Sequence, residues 1–345
     1  MSKKIATLLL VPALLASAAL AQSAKKPKIV ILATGGTIAG AAASQTDAGY
    51  QSGAVGVDLL IQAVPQLKEL ADVRGEQIAS IGSQDMNDEV WLKLAKRVNE
   101  LLASPDVDGI AITHGTDTLE ETSYFLDLVV KSDKPVVLTG SMRPSTAMSA
   151  DGPLNIYNAV GIAADPKARG RGVLITIDDD VHSAHDAIKM HTTDVGTFGS
   201  GEAGLVGGVL FGKTVWLRTP ENVHTSKSEF STGDVKSLPR VDILYAHANM
   251  SPDLIAAAVK NGAKGIVIAG VGDGNMTAAA WDECKKAVKA GVAIVRSSRV
   301  NGGIIRRNIE VNDDEAGTVA SMELNPSKAR VLLQLALLKT KDAKK

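Results

Sequence analysis

Apolar and polar positions along this chain change period again and again. The run KIVILAT (28–34) is apolar up to Thr34, as a strand buried on both faces requires. EQIASI (76–81), DGIAIT (108–113), KPVVLTG (134–140) and GVLITI (172–177) predict further strands. Between them the period lengthens. In NDEVWLKLAKRVNELL (87–102), Val90, Trp91, Leu94, Val98, Leu101 and Leu102 share one helical face behind Asn87 or Asp85 as cap. Thr118 and Glu121 stand at capping-box spacing before another helix. Asp151-Gly152-Pro153 opens a third, with proline early, where its missing N–H costs little. Such alternation predicts parallel strands joined by helical crossovers.

Residues 178–204 read as loop-rich, and GGVLFGKTVWL (207–217) as a hairpin. The polar stretch 218–239, with two prolines, reads as a linker. The pattern then restarts, with strands at 241–246, 263–270 and 292–297 and helices near 252–261 and 276–290. A last helix over 326–339 begins at Asn325-Pro326. The expected architecture is two-domain α/β. A large N-terminal domain (26–217) holds a doubly wound, mostly parallel sheet, and a smaller α/β domain occupies 240–345.

The N-terminus has its own pattern. Lys3 and Lys4 precede the apolar IATLLLVPALLASAAL, and Ala19-Leu20-Ala21 fits a small-x-small cleavage site. The run is short, holds Pro12 and ends in small residues, which favours a cleaved signal over a membrane anchor. Residues 1–21 are therefore expected to be a signal peptide cut after Ala21, with the mature protein in a bacterial periplasm and free of the membrane. Cys284 is the only cysteine, so no intrachain disulfide can form.

Composition narrows the chemistry. The net charge of −1 gives no footprint for nucleic acid, and 3% aromatic residues argue against base stacking. In open parallel sheets, ligands sit beyond the carboxyl ends of the strands. The residues expected there are Thr34 and Thr37; Ser83, Gln84 and Asp85; and Thr113, His114, Thr116 and Asp117. TGGT (34–37) resembles a phosphate turn but has no following lysine, and its glycines do not match the dinucleotide spacing. His182, His185 and His191 have no firm ligand spacing, so neither a metal nor a cofactor is expected. Hydroxyls and carboxylates together suit a zwitterionic small molecule. A threonine is a nucleophile only when a base takes its proton, and Tyr50, Lys189 and Asp117 are candidates for that base. Spacing alone leaves Thr34 and Thr37 as equal candidates.

ILATGGTIAG (31–40) and ITHGTDTLEET (112–122) resemble the two signature stretches of the bacterial L-asparaginase family. GSQDMND, GSMRPSTAMSADGPLN, AGVGDGN, VRSSRV and LNPSKARVLLQLAL resemble its secreted type II members, and the likeness spans residues 26–342. The resemblance implies hydrolysis of L-asparagine to L-aspartate and ammonia through a threonine acyl-enzyme, with L-glutamine as a weaker substrate. It implies a homotetramer, a dimer of dimers with active sites shared between subunits. Carried over by position, Thr37 resembles the nucleophile and Tyr50 its activator on a lid. Thr116, Asp117 and Lys189 resemble a second hydroxyl–carboxylate–base triad. Ser83, Gln84 and Asp117 resemble binders of the substrate's α-groups, and Asn275 and Glu310 the residues lent by a neighbouring subunit. Asn275 resembles members that prefer asparagine over glutamine. Leu102 and Val130 stand where some relatives carry a disulfide. The rival reading is a periplasmic amino-acid-binding protein without turnover.

Overall fold

The computed structural model describes residues 25–47 and 49–340, so the expected signal peptide and its cut after Ala21 lie outside the described residues. The N-terminal strands are β1 (Lys28–Gly35), β2 (Ala41–Ala42), β3 (Tyr50–Gln51), β4 (Asp72–Ile81), β5 (Gly109–Thr113), β6 (Val136–Thr139), β7 (Val173–Ile177), β8 (Asp180–Ser183), β9 (Ile188–Lys189), β10 (Phe198–Gly199), β11 (Gly207–Leu210) and β12 (Lys213–Trp216). Its helices are α1 (Val57–Gln62), α2 (Leu67–Leu70), α3 (Asp88–Ala103), α4 (Leu119–Val129) and α5 (Gly152–Ala164).

Eight of these strands form one sheet in the order β12-β11-β8-β7-β6-β5-β1-β4. From β4 to β7 the pairs are parallel, and from β7 outward they are antiparallel. The chain thus moves one way from β1 to β4 and then crosses back to β5. The direction of winding reverses between β1 and β5, and that reversal opens a crevice at their carboxyl ends. All of β5, β6 and β7 is buried, which their unbroken apolar sequences require. One core layer joins the sheet to α3 and α4 through Trp91, Leu94, Val98 and Phe125. A second joins the opposite face to α1, α2 and α5 through Leu60, Leu67, Ile156 and Val160. Leu102 and Val130 both pack in the first layer.

The C-terminal strands β13 (Val241–Tyr245), β14 (Gly265–Gly270), β15 (Ala293–Ser298) and β16 (Val319–Ala320) form an all-parallel sheet in sequence order. Around it lie α6 (Asp253–Lys260), α7 (Ala278–Lys289), α8 (Asp313–Ala316) and α9 (Pro326–Lys339). Cys284 is buried on α7. Leu335 and Val331 of α9 belong to the same apolar cluster as α3 and α4, so the first core layer continues across the domain seam.

Two local expectations need correction. β4 begins at Asp72, four residues before 76, because this edge strand alternates exposed polar and half-buried positions and so lacks the unbroken apolar signature. Thr118 occupies the N-cap position of α4, but its side chain makes no capping bond. Its hydroxyl instead donates to the Ser83 carbonyl at 2.7 Å, tying two loops of the crevice together. Asn87 does cap α3, accepting from the Val90 N–H, and Asn325 caps α9. Phe211 and Gly212, both at positive φ, turn the β11–β12 hairpin.

Candidate active site

The crevice between β1 and β5 collects the hydroxyls. After β1 the chain turns through Gly35 (φ 110°) and Gly36 (φ 82°) into a single 3-10 turn, Thr37–Ala39. A Cβ on Gly35 would lie 2.3 Å from the Ile81 carbonyl oxygen, and one on Gly36 2.3 Å from the Gly115 Cα. Only glycine lets the backbone turn left-handed and approach both neighbours this closely. The turn therefore serves to press the loop carrying Thr37 against the loop carrying Thr116. Thr34 faces away from this cleft chemistry, since its buried hydroxyl donates to the Thr113 carbonyl at 3.0 Å.

Thr37 is buried, and its Oγ1 lies 2.6 Å from the Tyr50 hydroxyl. Tyr50 reaches it from β3, the second strand of a two-residue ladder with β2. Gly40 makes room for the ring, because a Cβ there would meet the Tyr50 Cδ2 at 2.7 Å. The neighbouring loop holds the hairpin, since Ser145 donates through both N–H and hydroxyl to the Gly40 carbonyl and the Thr146 hydroxyl accepts from Ala42 N–H.

Thr116 and Asp117 lie just before α4. Lys189, on β9, donates from Nζ to Thr116 Oγ1 at 2.9 Å and to Asp117 Oδ1 at 2.6 Å. The lysine is largely buried while the Asp117 carboxylate is open to solvent. Thr116 Oγ1 also touches Met142 Sδ at 3.3 Å, and Asp151 holds that methionine by accepting the N–H groups of Met142 and Arg143, each at 2.9 Å. Ser83 completes the group, its hydroxyl accepting the Asp117 N–H at 3.1 Å. Gln84 follows in the chain with its side chain exposed, 3.4 Å from Asp85.

Beneath the Gly115–Thr116 turn lies a buried hydrogen-bond chain. The Trp91 indole donates to the Thr122 hydroxyl at 2.8 Å, and Thr122 donates to His114 Nε2 at 2.9 Å. His114 Nδ1 lies 2.7 Å from the Gly115 carbonyl, an acceptor, so Nδ1 carries the proton. Burial pushes the imidazolium pKa down to about 4, more than the Gly115 carbonyl raises it, and the ring is neutral.

Asn275 and Glu310 belong to the C-terminal domain and form no hydrogen bond with Thr37, Thr116 or Lys189 of their own chain. Asn275 closes a tight turn, exchanging two backbone bonds of 2.8 Å with Val271. Glu310 is exposed in the segment before α8. A buried ion pair ties these two places together. Arg296 binds Asp313 through Nε at 2.7 Å and Nη2 at 2.8 Å, and its Nη1 donates to the Asp273 carbonyl at 3.0 Å.

His182 and His185 are spoken for elsewhere, by Ser200 at 2.8 Å and Asp186 at 2.7 Å. Among the described residues no group of three or more His, Cys, Asp or Glu is placed to hold a metal ion. Sequence reasoning missed Met142, the bonds that join His114 to Thr122 and Trp91, and Glu120, which accepts the Lys189 N–H. His114 was expected at the strand ends, and Glu120 left a trace in the acidic pair Glu120-Glu121 after the Thr116–Asp117 motif.

This combination defines a class, that of two-domain α/β proteins with paired hydroxyl sites at the switch point of the larger sheet. Residues 28–223 match the family model "Asparaginase, N-terminal", and residues 240–345 match "Glutaminase/Asparaginase C-terminal domain". The chain belongs to the asparaginase/glutaminase family. It is 54% identical to L-asparaginase 2 of Escherichia coli, covering 92% of this chain and 90% of that one. It is 53% identical to the "Probable L-asparaginase periplasmic" of Haemophilus influenzae, over 94% and 93% of the two chains. The glutaminase-asparaginase of Pseudomonas fluorescens is 48% identical over 99% and 94%. The crystal structure titled "Probable Cytoplasmic L-asparaginase from Campylobacter jejuni" superposes with a TM-score of 0.90 at 47% identity, covering 92% and 97%.

Proposed function

We propose that this protein is an exported L-asparaginase in which Thr37 is the nucleophile. The activity, hydrolysis of L-asparagine to L-aspartate and ammonia, is that of the relatives whose sequences it shares almost end to end. The observation that carries the residue assignments is the pairing of two threonine hydroxyls with two separate proton partners at one switch point, Thr37 with Tyr50 and Thr116 with Lys189.

In this reading Thr37 Oγ1 attacks the side-chain amide carbon as its proton passes to the Tyr50 oxygen, while the Tyr50 hydroxyl gives its own proton onward. That relayed proton is the one the amide nitrogen takes up as its bond to carbon breaks, and ammonia leaves. The remaining ester between Thr37 and the aspartyl group is cleaved by a water that loses its proton toward the Thr116–Lys189 pair, and the Thr37 hydroxyl is restored. Backbone N–H groups beside Thr116 stabilise the oxyanion, a contribution of about 3–4 kcal/mol per donor in hydrolases of known mechanism. Ser83, Gln84 and Asp117 bind the α-carboxylate and α-ammonium. Asn275 and Glu310 act from a neighbouring subunit in a dimer of dimers, a role consistent with their making no hydrogen bond to Thr37, Thr116 or Lys189 of the same chain. The expected signal, together with a relative named as periplasmic, supports a periplasmic location.

An amino-acid-binding protein would need the polar ligands but no activated hydroxyl. Ammonia release from L-asparagine and from L-glutamine by the purified protein separates the two readings. Turnover of asparagine, with glutamine slower, supports the assignment. Stoichiometric binding without ammonia would support a receptor, and faster glutamine turnover would overturn the stated preference.

A further inference from the structure

The segment that delivers Lys189 is held from the far side of the domain seam. Residues 184–190, which follow β8, have little ladder of their own, since β9 pairs with β10 over only two residues. Besides the Asp186 bonds to Ser183 and Arg218, one side chain of α9 and one of α4 fix the segment directly, and the cap of α9 holds the second of these. Lys328, buried on α9, donates from Nζ to the His185 carbonyl at 2.7 Å and to the Ala187 carbonyl at 2.5 Å. Glu120, buried in the first turn of α4, accepts the Lys189 backbone N–H through Oε2 at 2.7 Å. Its other oxygen, Oε1, accepts from Asn325 Nδ2 at 3.0 Å. Asn325 is the cap of α9, and its Oδ1 accepts the Lys328 N–H at 3.0 Å.

The polarity of this chain is fully determined. Asn325 spends its only oxygen on the helix cap, so it must present its amide N–H₂ to Glu120. Glu120 then faces two donors, and only a carboxylate, with two acceptor oxygens, satisfies both without leaving a buried donor unpaired. The same α4 turn that follows Thr116 and Asp117 thereby sets the position of the lysine that contacts them.

We propose that Glu120 and Asn325 are positioning residues through which the C-terminal domain holds Lys189 of its own chain against Thr116. This inference rests on the role given to Lys189 above, and adds a contribution in cis from a domain otherwise read as serving the neighbouring subunit.

A polarity swap tests it. In Glu120→Gln one buried donor meets another. In Asn325→Asp two carboxylates face each other. The double variant restores every bond, with the sense reversed only between 120 and 325, because the new carboxylate at 325 caps α9 and accepts from the new amide at 120. Each single change should lower kcat for asparagine by about tenfold or more with KM little altered, and the double variant should recover to within about threefold of the parent. Exchange of the Lys189 amide hydrogen should speed up in the single variants and slow again in the double one. Asn325→Ser keeps the helix cap, folds, and loses only the bond to Glu120, so its kcat should fall as well. Unchanged kcat in Glu120→Gln and Asn325→Ser, or a double variant no better than the worse single one, would overturn the proposal. Lys189→Met is the separating control. If it retained full turnover while the exchange pattern followed the swap, the catalytic role of Lys189 would fall and the structural linkage would stand.

Discussion

The Tyr50 hydroxyl lies 2.6 Å from Thr37 Oγ1, at the end of a hairpin whose ladder is only two residues long. The contact is short enough for direct proton transfer, and Tyr50 is partly open to solvent while Thr37 is not. The tyrosine oxygen is thus the hydrogen-bond partner within reach of the buried Thr37 proton. Tyr50→Phe keeps the ring that Gly40 accommodates and removes only the oxygen. Turnover of asparagine should fall about a hundredfold or more, within the range for a lost proton-transfer group, with the melting temperature unchanged. Steady-state ammonia release and a thermal melt check both halves.

Thr116 and Lys189 make the second pair. Lys189→Met removes Nζ but retains most of the aliphatic stem that fills the space beside Thr116. The expected result is a fall of about 10²–10⁴ in kcat, with far less effect on KM. Steady-state kinetics on asparagine provides the check, and a change confined to KM would make Lys189 a binding group instead.

How far these relationships could be read from sequence depends on the kind of signal each left. Buried parallel strands are legible because their apolar runs are unbroken, and β5, β6 and β7 lie where that rule puts them. The edge strand β4 hid its first four residues behind Asp72 and Arg74, whose exposure costs an edge nothing. Thr118 and Glu121 matched a capping box by spacing, yet Thr118 bonds to Ser83, because a tertiary partner in the crevice outcompeted the local one. The glycines of TGGT were legible as a turn, but the reason both are needed, contact with Ile81 and Gly115, depends on strand order. Glu120, Asn325 and Lys328 were invisible as a group, since Glu120 lies 205 residues from Asn325 and they meet only at the seam between domains.

The His114 chain should matter for stability. Thr122→Val leaves the Trp91 N–H and His114 Nε2 without their shared hydroxyl inside the core. Each buried group left unpaired costs about 1–3 kcal/mol. The variant should lose roughly 2–6 kcal/mol on that basis, measured by denaturant unfolding.

Asp127 predicts a pH dependence. Its carboxyl is buried and accepts the Val173 N–H at 2.7 Å. Burial pushes its pKa up to about 7 against the opposing effect of that hydrogen bond. The folded value lies above the unfolded one, so the native state holds a proton that the unfolded chain releases. The stabilisation is complete below about pH 4 and is lost as pH rises through about 7. Asp127→Asn keeps an acceptor for Val173 and never ionises. Its stability relative to the parent should rise from pH 4 to pH 7 and level off above, as unfolding curves at several pH values will show. A difference independent of pH would contradict this reading.

Shared sites can be tested by mixing. Thr37→Ala and Glu310→Ala variants are each inactive in the proposed reading, yet a mixed dimer carries one site with both native residues. Random exchange in a two-fold dimer should restore about a quarter of the parent sites. No recovery after verified subunit exchange would confine each site to one chain.

The most direct test of the central claim is the rate of ammonia release from asparagine by Thr37→Ala, compared with the parent at saturating substrate and with the fold verified by circular dichroism. Loss of the nucleophile should lower that rate by about a thousandfold or more while Thr34→Ala, which breaks only a bond to the Thr113 carbonyl, retains turnover. Near-parent turnover by Thr37→Ala would contradict the assignment of Thr37 as the group that attacks the amide.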